Sequence, residues 1–168
     1  MRAALTACVL ALLAAGSAAA QEQGCRQFSW SVGREIDLFD EPLPVVQSAL
    51  SLPRDGVFVL LLKPVADVIY IVAPERGRDS GYGGFITLEN IPAGRYQIAV
   101  SEEAWIDAVQ HDTRITPLAS ETAKGCPGVR RSLDIEAAGE PLTVQVSGAS
   151  VQRLKIAVVR VWPFEWRW

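Results

Sequence analysis

Few side chains in this sequence can do chemistry, and their spacing narrows the choice further. His111 is the single histidine, set in the polar run Gln110-His111-Asp112-Thr113, which reads as a hairpin tip. One imidazole in one chain cannot build a zinc site of the usual kinds or a two-histidine iron centre. The sequence therefore predicts no metal and no cofactor. Asp37, Asp40 and Glu41 cluster near the N-terminal segment, and Glu102-Glu103 precede Trp105. Such acids could hold Ca²⁺ or serve as acid and base, with Asp107 and Glu103 the pair a carboxylate-based hydrolase would use. Neither group has EF-hand spacing, so both read as exposed turn residues, and no catalytic residue is assigned.

Two features could carry recognition. In the segment 104–109, alternation puts Trp105, Asp107 and Val109 on one face and Ala104, Ile106 and Ala108 on the other. With the small apolar face inward, Trp105 and Asp107 form an outward aromatic-plus-acid pair of the kind that grips a sugar ring. With the faces reversed, Trp105 fills the core, and Asp107 bonds a turn or pairs with Arg130 or Arg131. The second reading is preferred, because tryptophan is usually largely buried. The other feature is the tail, where Trp162, Phe164, Trp166 and Trp168 alternate with other residues. That much apolar area suits an anchor on the domain's own surface, a partner groove or a stacking platform for glycans.

Asp79-Ser80-Gly81 resembles the surroundings of a serine-protease nucleophile, but Tyr82 follows where that motif has glycine, and His111 comes after the serine instead of before it. Gly77, Gly81, Gly83 and Gly84 make the stretch a flexible turn that admits positive φ. It lacks the Gly-Lys-Ser/Thr of a phosphate-binding loop.

The scaffold for these residues is expected to begin after residue 20. Arg2, the apolar run to Ala15 and Ala18-Ala19-Ala20 read as a secretory signal peptide. Its removal takes one basic residue and no acid, leaving 15 basic against 19 acidic side chains. A mildly acidic chain with no basic stripe argues against a nucleic-acid partner, and no later segment is long and apolar enough for a transmembrane helix. Cys8 leaves with the signal, so Cys25 and Cys126 remain as an even pair, expected to be bonded in the periplasm or outside the cell.

Residues 27–38 alternate well enough for a first strand, and Pro42, Pro44 and Pro53 make the next stretch a loop draped over the core. Val57 to Leu62 and Val68 to Val72 are apolar, β-branched runs of strand length. Further strands are predicted around Phe85 and Thr87, then at 96–100, 104–109, 129–136, 142–146 and 151–161, with Gly or Pro turns between most of them. No helical periodicity stands out beyond the signal. About eight short strands at this spacing predict a single all-β sandwich, jelly-roll or immunoglobulin-like, with one disulfide. The expected organisation is a signal peptide (1–20), an N-terminal arm and loop (21–56), a sandwich core (57–161) and an aromatic tail (162–168).

Phe85 through Val161 resembles the layout of bacterial pre-peptidase C-terminal domains, which implies a non-catalytic β-sandwich module. Phe28-Ser29-Trp30 with Arg34-Glu35, Ala104-Trp105-Ile106-Asp107, Cys126-Pro127-Gly128-Val129-Arg130-Arg131-Ser132 and Gln145-Val146-Ser147-Gly148-Ala149 resemble a group of small exported bacterial proteins of unknown function. Some of those carry the label homogentisate 1,2-dioxygenase. That activity needs two histidines and a glutamate on iron, and a lone His111 does not supply them. The tail also resembles the last strand of small outer-membrane β-barrels, although Pro163, Arg160 and the two-sided apolar run at 57–62 oppose a barrel. The function these observations favour is a non-enzymatic periplasmic or secreted binding or accessory domain. Its partner would be a glycan, an envelope component or a protein.

Overall fold

Alternation of apolar and polar side chains determines which face of each central strand turns inward. In a computed structural model describing residues 24–162, Leu133 and Ile135 point into the core while Asp134 and Glu136, between and after them, point away. The chain runs through a helix α1 (Gly33–Asp40) and strands β1 (Val45–Gln47), β2 (Leu50–Leu52), β3 (Gly56–Leu61) and β4 (Lys63–Pro64). A short 3₁₀ turn (Val65–Asp67) follows, then β5 (Tyr82–Leu88), β6 (Gly94–Val100), β7 (Trp105–Gln110) and β8 (Thr113–Arg114). The last four strands are β9 (Ala119–Thr122), β10 (Arg131–Ala137), β11 (Leu142–Ala149) and β12 (Arg153–Arg160).

These strands form two sheets, an all-β sandwich as expected. The first runs β1-β3-β12-β6-β10-β9, and the second β2-β5-β11-β7-β8 with β4 also on β5. Each sheet is antiparallel except where β1 joins β3 and β2 joins β5 in parallel. Leu60, Ile98, Leu133, Ile135, Leu154 and Ile156 of the first sheet meet Ile86, Leu88, Ile106, Leu142, Val144 and Val146 of the second. Burying each such side chain stabilises the fold by about 1.5–3 kcal/mol.

Both outer faces are covered. Phe28, Val32 and Phe39 of the N-terminal arm and α1 pack on Ala99, Val129, Ala157 and Val159 of the first sheet and its β9–β10 connection. The Cys25–Cys126 disulfide ties this arm down, and Lys155 Nζ donates to Phe39 O at 2.6 Å. Over the second sheet runs a strap of residues 68–78, whose backbone is bonded by side chains of the sheet instead of by a neighbouring strand.

Three expectations are corrected. Residues 27–38 hold no strand: Val32, Ile36 and Phe39, spaced four and three apart, put one helical face on the sheet, and α1 results. Val68 to Val72 is the strap, not a strand, with Ile69 90% exposed. The stretch read as a proline-rich loop instead supplies β1 and β2, each only three residues long and each at a sheet edge. The seven long strands β3, β5, β6, β7, β10, β11 and β12 fall where the sequence places them, and with the five short ones they make twelve where about eight were expected.

Candidate functional site

Strand β7 turns Ile106 and Ala108 into the core and Trp105, Asp107 and Val109 onto the outer face of the second sheet. Trp105 thus takes the outward orientation, against the preferred reading of a core tryptophan, yet it is half-buried. The guanidinium carbons of Arg131 and Arg76 lie 4.1 and 4.8 Å from its ring centroid, within cation–π range. A sugar stacking on this ring would compete with these guanidiniums for it. Asp107 is buried; of a bond to a turn or a pair with Arg130 or Arg131, the expected alternatives, it makes a bond to loop backbone at Glu75, and its ion contact is with Arg114. Its Oδ1 accepts from Trp105 Nε1 at 3.1 Å, its Oδ2 accepts from Glu75 N at 3.1 Å, and Arg114 Nε approaches Oδ1 at 2.9 Å.

Strand β8 pairs only with the last two residues of β7, so the edge of β7 from Trp105 to Asp107 is unpaired among the described residues. There, where β7 and β8 of one sheet face β9 and β10 of the other, lies a cleft of about 200 Å³. Trp105, Asp107, Arg114, Arg131, Glu75 and Ser120 give it its polar and aromatic lining, over a floor of Ile106, Ala108 and Leu133. Arg131 enters because it shares a face of β10 with Leu133 and Ile135, the only charged member of an apolar stripe at the sandwich mouth. Its Nη2 donates to Ser120 Oγ at 2.8 Å. Burial lowers its pKa from the ordinary value, Arg76 adding to the effect while Asp107 and Glu75 oppose it. The buried Nε atoms of Arg131 and Arg114 make no hydrogen bond within the described residues; the approach of Arg114 to Asp107 is an ion contact without hydrogen-bond geometry.

Arg114 also holds the strap, donating from Nη2 to Ala73 O at 2.6 Å. Tyr70, on the same strap, donates to Val146 O at 2.9 Å. Desolvation, with the Asp107 charge adding to it, pushes the Tyr70 phenol up to about 12. A β-carbon at Gly83 would overlap Tyr70 Oη, so this glycine is needed for close approach, whereas Gly77 and Gly81 adopt positive φ as expected.

The remaining predicted residues lie elsewhere. Glu103 is exposed and outside the cleft lining. Trp162 is 67% exposed at the end of β12, with Arg160 4.9 Å from its ring centroid. Phe164, Trp166 and Trp168 lie outside the described residues. His111 and Asp112 form the two-residue tip of the β7–β8 hairpin. No group of three His, Cys, Asp or Glu side chains suited to a metal occurs among the described residues, and no helix among them is long and apolar enough to cross a membrane. Sequence reasoning named Arg131 only as a possible partner of Asp107 and missed Arg114, Glu75, Arg76 and Ser120. The available signal was Arg131, an arginine in register with Val129, Leu133 and Ile135.

A second hollow of about 330 Å³ lies beside the disulfide, lined by Arg130, Arg153, Lys155, Asp40 and Glu102 among others. Two of its cations already bond backbone, Arg130 to Lys124 O and Lys155 to Phe39 O. The edge cleft is therefore the stronger candidate. No family model, curated protein or solved structure matches the chain.

Proposed function

We propose that this protein is a non-enzymatic binding or accessory domain that works in the periplasm or outside the cell. It recognises a glycan, envelope component or protein partner at the edge cleft. One observation carries the reading: the Arg131 guanidinium, whose buried Nε has no hydrogen-bond partner among the described residues, and the Trp105 ring meet at a cleft between the two sheets. Recognition sites are usually pre-formed, with a few polar groups held in place by the secondary structure around them. Asp107 is engaged by Glu75 N, Trp105 Nε1 and Arg114, which ties the strap, β7 and β8 together at the cleft. The disulfide supports an oxidising compartment, and the signal-like first twenty residues agree with it.

Arrays of bacterial glycans and of peptides, probed with the wild type, Trp105→Ala, Arg131→Gln and a truncation after Val161, test this proposal. The wild type and the truncation should retain the same ligand, and the two cleft variants should lose it while keeping a β-rich circular dichroism spectrum. Retention by the cleft variants together with loss on truncation would move the site to the aromatic tail.

A further inference from the structure

The charges around the cleft nearly balance. Arg76, Arg114 and Arg131 bring three positive charges to the Trp105 ring and the lining, and Glu75 and Asp107 bring two negative ones. The surplus is one positive charge. Asp107 neutralises Arg114 at 2.9 Å, which leaves Arg131 as the cation whose hydrogen bond in the cleft, among the described residues, goes to a neutral hydroxyl, that of Ser120. Its Nε is buried and has no hydrogen-bond acceptor among the described residues, while the side chain lines the cleft. A guanidinium presents its N–H groups as a planar fork matched to two oxygens in a plane.

The volume limits what can enter. At about 200 Å³ the cleft is smaller than the roughly 300–1,000 Å³ of pockets that engulf a drug-sized ligand. It has room for an end group, with the rest of the ligand outside. The Ile106, Ala108 and Leu133 floor offers apolar contact to the carbons bearing that group.

We propose that the cleft binds a singly charged carboxylate, with the Arg131 guanidinium as its anchor, Trp105 holding that guanidinium in place, and Ser120 and Arg114 beside it. This assignment rests on reading the cleft as a binding site and adds the chemistry of what it binds. A dianion such as a phosphate monoester would leave net negative charge in a half-enclosed space, a costly arrangement. The carboxylate could come from an acidic sugar or from a peptide C-terminus, and both present the same two oxygens.

Titration of the ¹⁵N-labelled protein, following the Trp105 indole and Arg131 Nε–H signals, separates the cases. The probes are galacturonate against galactose, N-acetyl-dialanine against its C-terminal amide, and inorganic phosphate. Galacturonate or the free-acid peptide should shift both signals, and whichever shifts them at lower concentration identifies the source. The neutral partners should do so only at far higher concentration. Arg131→Gln should weaken the carboxylate by roughly ten- to a hundredfold, and Arg131→Lys, which keeps the charge but not the fork, should recover part of it. Equal response to galactose and galacturonate would overturn the carboxylate assignment and leave the cleft as a binding site. Tighter binding of phosphate, or no shift with any probe, would also overturn it, while the array experiment decides the broader reading separately.

Discussion

Gln145 and Val72 form a reciprocal pair across the outer face of the second sheet. The Val72 N–H donates to Gln145 Oε1 at 3.1 Å, and Gln145 Nε2 donates to Val72 O at 2.8 Å. Oε1 also accepts Ile71 N–H at 2.9 Å. A side-chain amide thus does for the strap what a strand neighbour would do through its backbone. Further along, Ala73 O, Glu75 N and Arg76 O are taken by Arg114, Asp107 and Ser147. The polar outer face of β7 and β11 exists to satisfy a segment with no strand partner, and the same segment delivers Glu75 and Arg76 to the cleft.

Gln145→Leu should accordingly release the strap. Three hydrogen bonds go, and the backbone groups of Ile71 and Val72 lose their partners, at a cost of about 2–4 kcal/mol. Urea unfolding would register the loss, and limited proteolysis should cut the variant within residues 68–78 while the wild type resists. Equal protease resistance would mean that the strap is held by other contacts.

The disulfide joins residues 101 positions apart. Replacing both Cys25 and Cys126 with alanine should lower stability by roughly 3–5 kcal/mol on the chain-entropy account. The loss should be smaller if α1 keeps the arm docked through Val32 and Phe39. Hydrogen exchange on the double variant decides this, since faster exchange confined to residues 24–40 would mark an undocked arm over an intact sandwich.

The long strands were legible because their alternation is a local property. Leu142 to Ala149, with Leu142, Val144 and Val146 inward and Thr143, Gln145 and Ser147 outward, carries its period in eight residues. The strap was not legible, because VIYIV has the composition of a strand and only the tertiary fold denies it a partner. The helix was hidden for the opposite reason: eight residues give barely two turns, and Phe28, Trp30 and Val32 just upstream mimic strand alternation. The cleft could be seen only in part. Trp105 and Asp107 are two apart on one strand, whereas Arg114 and Arg131 arrive through a hairpin and the other sheet. No spacing along the chain records that meeting.

The β7–β8 hairpin turns on His111 and Asp112, both left-handed, with φ of 50° and 53°. A two-residue turn of this kind suits the twist of antiparallel strands and favours Asn or Asp and then Gly. Asp112→Gly should therefore be neutral or stabilise by roughly 0.5 kcal/mol, and Asp112→Val should cost about 1–2 kcal/mol. Thermal unfolding of the two variants should bracket the wild type. A valine variant as stable as the wild type would mean that the tip adopts another turn.

Glu35 sits on the face of α1 that packs against the first sheet and is 2% exposed, with Oε2 lacking a hydrogen bond among the described residues. Burial raises its pKa above the ordinary carboxyl value; a backbone hydrogen bond and the charge of Arg34 oppose the shift without cancelling it. The folded protein therefore keeps this proton to higher pH than the unfolded chain does. The favourable contribution is complete below the unfolded value, falls as pH rises through the folded one, and stays lost beyond it. Glu35→Gln preserves shape and removes the titration. The two proteins should unfold at the same urea concentration below about pH 4, and the variant should be the more stable at pH 7. Matching urea midpoints at every pH, or a more stable wild type at neutrality, would show that the buried carboxylate has a cationic partner in solution, and the helix would then be held down by charge as well as by Val32 and Phe39.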